Sequence, residues 1–166
     1  KSRERGLNEL LFSVHGSTEE IHDKMTGVKG SFEKIKYALI NAKYLGIKIR
    51  INVVVTKDNY RNLINIAKLV MPFNPVAFNF LPYRIENSAP KDKNIVRYSE
   101  IAPYIKKTID FINDRCKVAI RYVPFCLFQG YEKYIAGYLQ RVFDEYEWSE
   151  YTIRKFESTR FGKDFD

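Results

Sequence analysis

The chain has 166 residues, 45% hydrophobic and 15% aromatic, which suits one packed domain and excludes a disordered or low-complexity segment. Its 28 Lys and Arg against 20 Asp and Glu give a net charge of +8, compatible with an anionic partner or simply with a lysine-rich solvated surface. No apolar run approaches the ~18 residues of a membrane span and no signal peptide is read, so a cytoplasmic protein without a membrane partner is expected.

In chain order, residues 7–14 read as a strand, LNELLFSV. Ser17 with Glu20 three residues on gives a capping-box signal for a short helix to about Met25. A turn at Gly27 to Gly30 follows, and Ser31 is the expected cap of a helix with Phe32, Ile35, Leu39, Ala42 and Leu45 at helical spacing before Gly46. Residues 47–55 are a β-branched run, the composition of a buried strand. Asp58 or Asn59 is the expected cap of a third helix with Leu63, Ile66, Ala67 and Val70 on one face, closed by Pro72 and Pro75.

VAFNFL, residues 76–81, gives the third strand, and residues 82–97 form a long polar loop with two prolines, a candidate functional segment. A helix from Ser99 with Ile101, Ile105, Ile109 and Ile112 inward leads to a fourth strand at 117–123. The order βαβαβαβ implies parallel strands with right-handed crossovers. From Pro124 the chain is aromatic, moderately basic at Arg154, Lys155, Arg160 and Lys163, and mostly helical, with Gly130, Tyr131 and Glu132 opening a helix. The expected division is therefore an α/β part over 1–123 and a helical C-terminal extension over 124–166.

Side chains alternate faces along a strand. One parity is bulky: Phe12 and Val14; Ile49, Ile51 and Val53; Val76, Phe78 and Phe80; Val118, Ile120 and Tyr122. The other carries Ser13, Arg50, Asn52, Asn79 and Arg121 beside small apolar residues such as Val54 and Ala119. A buried polar group without a partner costs roughly 1–3 kcal/mol. The second face is therefore expected to line a polar cavity or to bond within itself. Helices on both sides of an open sheet would make both parities apolar, so a partial, half TIM-like (β/α) barrel is the expected fold. Reacting groups in such folds sit at the carboxyl ends of strands, here Ser13, His15, Asn52, Thr56, Pro82 to Arg84 and Pro124 to Cys126.

Cys116 and Cys126 bracket the fourth strand, and ten extended residues span up to about 33 Å against a disulfide limit of about 7 Å, so free thiols are expected. His15, His22 and Asp23 hint at a metal or acid–base site, but a histidine beside a helix is more often structural, and neither a metal ligand nor a catalytic residue is assigned. No Ser-His-Asp arrangement, Walker loop or dinucleotide glycine fingerprint is present.

The succession FSVHGSTEEIHDKMTGVKGSFEKI, LGIKIRINVVVTKDNYRNL and NFLPY resembles the second half of the barrel in radical S-adenosylmethionine enzymes, well over 7–83 and weakly beyond. The resemblance implies that Ser13, His15, Arg50, Asn52, Leu81 and Pro82 serve cofactor binding: Ser13 by the ribose, Asn52 near the ribose or methionyl part, Arg50 by the cofactor carboxylate or the substrate, Leu81 and Pro82 by the adenine. From their places on or just past the strands, Tyr83, Arg84, Arg121 and Cys126 are expected on the substrate side. The hallmark Cys-x3-Cys-x2-Cys loop that holds a [4Fe-4S] cluster is absent, as is a Gly-Gly-Glu strand. Both belong to the first barrel strands, and the chain opens on Lys1, not Met. A fragment is therefore expected, inactive and free of bound cofactor on its own. Its partners would be the missing N-terminal half of the barrel, an unknown substrate and, through unpaired sheet edges, other copies of itself. The alternatives are a basic module that binds RNA through the aromatic tail, or a nucleotide-binding α/β domain without radical chemistry.

Overall fold

The computed structural model describes residues 6–83 and 94–136. Four strands, β1 (Glu9–Ser13), β2 (Lys48–Val55), β3 (Ala77–Pro82) and β4 (Lys117–Ile120), form one parallel sheet in the order β1-β2-β3-β4. Between them run α1 (Glu19–Thr26), α2 (Ser31–Tyr44), α3 (Leu63–Val70) and α4 (Tyr98–Ile112). Strand order that never reverses, with crossovers of one hand, puts every helix on the same side of the sheet. This is the winding of a (β/α) barrel, and the sheet is a partial one.

Burial follows from that winding. In β2, Ile49, Ile51, Val53 and Val55 are buried whereas Arg50, Asn52 and Val54 keep partial exposure. The buried parity joins Phe12, Phe78, Phe80 and Ile120 in one core with Leu39 of α2, the Leu63, Ile66, Ala67 and Val70 stripe of α3, and Ile101, Ile105, Ile109 and Ile112 of α4. Each stripe repeats at three- and four-residue spacing, which gives the helix one apolar side to bury.

Several local expectations are corrected. Thr18, not Ser17, caps α1, its side chain accepting from Ile21 N–H. The residue before α2 is Gly30, at φ 78° and without a side chain, so Ser31 is inside the helix and the capping acceptor comes from elsewhere. A 3-10 turn at Tyr60–Asn62 precedes α3, because the Asn59 side chain is spent on other loops and does not cap the helix. Val76 lies outside β3 at 38% exposure. The fourth strand stops at Ile120, since Tyr122 turns to φ 60°, which an extended strand cannot hold, and is exposed.

After β4 the chain does not open a helix at Gly130. It makes two 3-10 turns, Phe125–Leu127 and Glu132–Tyr134, and folds back along α4. Phe128 is fully buried, the Tyr131 hydroxyl donates to Asp110 at 2.7 Å and the Tyr134 hydroxyl donates to Asp114 at 3.1 Å. Ile135 then forms a parallel bridge to Ile120. The compact unit therefore runs to Ile135. Arg84 and the basic residues at 154, 155, 160 and 163 lie outside the described residues.

Candidate functional site

The sheet register carries the polar residues into line. Ser13 pairs with Asn52, Asn52 with Asn79, and Asn79 with Ala119, so the three polar side chains form one row across the face away from the helices. Asn79 donates from Nδ2 to Oδ1 of Asn52 at 2.7 Å. That bond settles how Asn52 presents itself: its oxygen is spent sideways, and its own amide N–H groups remain to serve an acceptor. Among the described residues no side chain bonds the Ser13 hydroxyl, which is exposed. The row thus offers a hydroxyl and an amide donor toward the carboxyl half of the strands, where barrel sites form.

One step toward the amino ends, Arg50 pairs with Glu9 at 3.2 Å, both groups about 40% exposed. Glu9, 41 residues away in sequence, was not foreseen as its partner. An exposed pair of this kind is worth about 0.2–1 kcal/mol, weak enough to yield to a ligand carboxylate. Leu81 shares the open face, in register with Val54, whereas Pro82 pairs with Val55 on the helix side and is buried. Tyr83 continues the ladder through its N–H to Val55 O at 2.9 Å and is partly exposed. Arg121 lies just past β4, its N–H on Phe80 O, and is partly buried; Cys126 is exposed in the turn beyond. The structure therefore brings Ser13, Asn52 and Asn79 together and sets Arg50 beside them. Pro82 faces the other side.

The loops at the strand ends are tied by side chains that sequence reading missed. Asn59, fully buried, accepts Thr56 N–H at 2.9 Å and donates to His15 O at 2.9 Å and Val54 O at 2.8 Å. Asn62 accepts Ser17 N–H at 2.9 Å. A side-chain amide that mimics the backbone on both its ends serves a crossing of two loops, and the only sequence signal is two asparagines three apart after a strand. His15 accepts Val54 N–H on Nδ1 at 3.3 Å, and its own N–H donates to Nδ1 of His22 at 3.2 Å. Burial lowers the pKa of both histidines; His22 adds to the effect on His15, and Asp23 opposes it on His22.

Asp23 supplies the missing cap. Its carboxylate accepts from Gly30 N–H, from Ser31 Oγ at 2.8 Å and from Phe32 N–H at 2.8 Å, so α1 closes the first turn of α2. Burial works upward on this carboxyl, but the bonds from Phe32, Ser31 and Gly30 outweigh it and hold the pKa below the ordinary value. Cys116 is pushed up by burial, against a smaller pull from Arg115, which keeps it a thiol. Among the described residues no three His, Cys, Asp or Glu side chains group as metal ligands. A concavity of about 530 Å³ lined by Lys68, Met71, Phe111 and Arg115 lies on the helix side near the amino ends of β3 and β4. The chemistry-bearing row is elsewhere.

No family profile matches the chain. Over 110 residues, 66% of the chain, it is 28% identical to an AdoMet-dependent heme synthase from Oleidesulfovibrio alaskensis. It is 27% identical over 107 residues to the protein of the same name from Nitratidesulfovibrio vulgaris. In fold it is similar to SuiB from Streptococcus suis, with a TM-score of 0.56 and 18% identity over 74% of the chain. SuiB bound to S-adenosylmethionine gives a TM-score of 0.54 and 19% identity over the same share. Over the matched part, the chain is similar to radical S-adenosylmethionine enzymes. It spans 28% and 29% of the length of the two heme synthases, and the same shares of the two SuiB chains.

Proposed function

We propose that these residues are the later strands of a radical S-adenosylmethionine barrel and that the Ser13, Asn52 and Asn79 row forms part of the cofactor pocket. The observation that carries this reading is the row itself: a free hydroxyl and a donor-presenting amide, side by side on the helix-free face. Ribose hydroxyls and a methionyl carboxylate are acceptors of matching size, and Arg50 stands near enough in register to exchange Glu9 for such a carboxylate. The residues present fit S-adenosylmethionine in this sense. They do not fit the cluster: the chain has two cysteines, one half-buried and one exposed, and a [4Fe-4S] centre of this family needs three in a tight loop.

The cluster site, the rest of the barrel and most of the substrate pocket are therefore assigned to strands that would pair beside β1. Ser13, Asn52 and Arg50 would hold S-adenosylmethionine, which would supply radical chemistry when bound beside a reducing cluster on the rest of the barrel. This chain's residues bind and orient the cofactor. Tyr83 and Arg121, just past β3 and β4, and Cys126 in the turn beyond are assigned to the substrate side.

The test is a polypeptide that joins these residues to a cluster-bearing half-barrel. Asn52→Ala should lower S-adenosylmethionine cleavage about tenfold through loss of a ligand hydrogen bond, with the cluster's absorption spectrum unchanged. Unaltered cleavage in that variant would overturn the pocket assignment.

A further inference from the structure

Besides Val14 N–H on Asn52 O and Asn59 Nδ2 on His15 O, both at 2.9 Å, the carboxyl end of β1 carries two hydrogen bonds whose acceptors are imidazole nitrogens. His22 Nδ1 accepts His15 N–H at 3.2 Å, and His15 Nδ1 accepts Val54 N–H at 3.3 Å, so one relay runs from α1 through the end of β1 to β2. Each ring must be neutral, with its proton on Nε2, to accept in this way. The rings lie nearly parallel with centroids 6.0 Å apart, and His22 is 2% exposed. Gly16 makes this closeness possible. A Cβ there would stand 2.5 Å from the His22 backbone nitrogen, so any larger residue would push α1, and His22 with it, off the strand end.

We propose that His15 and His22 form a proton-sensitive latch that positions the strand end carrying Ser13 against β2. Protonation of either Nδ1 replaces an acceptor by a donor facing a donor, and the corresponding N–H loses its partner. The groups around the relay reinforce this. From α1, Asp23 is the one charge that favours a protonated His22, and its carboxylate is committed to Gly30, Ser31 and Phe32. The exposed Lys24 of α1 is paired with Asp58 of the loop after β2 at 3.0 Å. From α2 the neighbour is the Phe32 ring, 5.9 Å from His22, and from that same loop it is the neutral Asn59. At the β2 contact, Val54 contributes only its backbone N–H.

Burial supports the direction of the switch, because it depresses both histidines below the ordinary value of 6.5. The unfolded chain then takes up protons first. Stability from the latch is full above 6.5 and is lost as pH falls through the folded-state values.

The proposal goes beyond S-adenosylmethionine binding and is tested without any ligand, so it can fail while the pocket assignment stands. Long-range proton–nitrogen NMR spectra of the 166-residue chain, recorded from pH 8 downward, should show both rings as the Nε2–H tautomer. Both should titrate below 6.5, with the Ser13 amide shift moving at the same midpoint. Protection of the His15 and Val54 amides from exchange should drop about tenfold or more across that titration. In His22→Asn, whose Oδ1 can accept the His15 N–H without titrating, His15 should keep its protection at low pH while Val54 still loses it. An Nδ1–H tautomer, titration at or above 6.5, or protection that survives protonation would overturn the latch.

Discussion

At Gly16 the deciding quantity is room, not backbone freedom. The position is buried, and a methyl group would meet His22 N at 2.5 Å and Ile21 Cβ at 2.8 Å, neither of them the free end of a flexible side chain. Gly16→Ala should therefore destabilise the chain by about 1–3 kcal/mol, the usual cost of overpacking a tight site. Urea denaturation at pH 7.5 would show it as a lower midpoint, and an unchanged midpoint would mean that α1 yields at no cost. At this scale the sequence was readable where parity decides: Ser13 and Asn52 came to the same face because strand side chains alternate, and the register then placed Asn79 beside them. It was unreadable where partners are distant. Glu9 meets Arg50 across 41 residues, and Asn59 meets His15 O across 44; no local pattern marks either contact.

Elements were legible in proportion to their apolar run. Strands β1 to β3 and helices α2 to α4 stand within a few residues of where alternation or helical spacing put them. The ends moved where a single residue's backbone or side chain was claimed by something else, as at Tyr122 and Asn59. The stretch from Phe125 to Ile135 has no regular period to mark it in the sequence, and Phe128 is as buried as any residue of the sheet. Lys106 sits 5.9 Å over the Phe128 ring and 5.3 Å over that of Tyr131, adding cation–π contacts to the two tyrosine–aspartate bonds. Phe128→Ala should cost about 3–5 kcal/mol and open this stretch to limited proteolysis near Gly130, while β1 and β2 remain protected. Cleavage no faster than in the unmodified chain would argue that the tyrosines hold the segment unaided.

For the whole molecule, the two sheet edges are unequal. Beyond β4 the Ile120 to Ile135 bridge begins a further pairing, whereas among the described residues nothing pairs with the outer side of β1, and its Leu11 is 54% exposed on the open face. An unpaired apolar edge is a template for another strand. The chain alone should therefore self-associate as its concentration rises, and Leu11→Lys should shift sedimentation toward the monomer. A wild-type chain that sediments as a monomer throughout would show that the edge is already guarded. The parallel order and the helix-free face were both foreseeable from strand–helix alternation and parity. The partial extent of the barrel was foreseeable too, from a count of four strands.

The carboxylate of Asp23 gives α1 and α2 a shared fate. A helix whose first turn is closed from its neighbour cannot swing independently: tilting α1 away from the mouth of the sheet would strip the anion from the start of α2 and leave amides bare. Any displacement of α1 must therefore carry α2 with it, or else begin by unravelling both helices together.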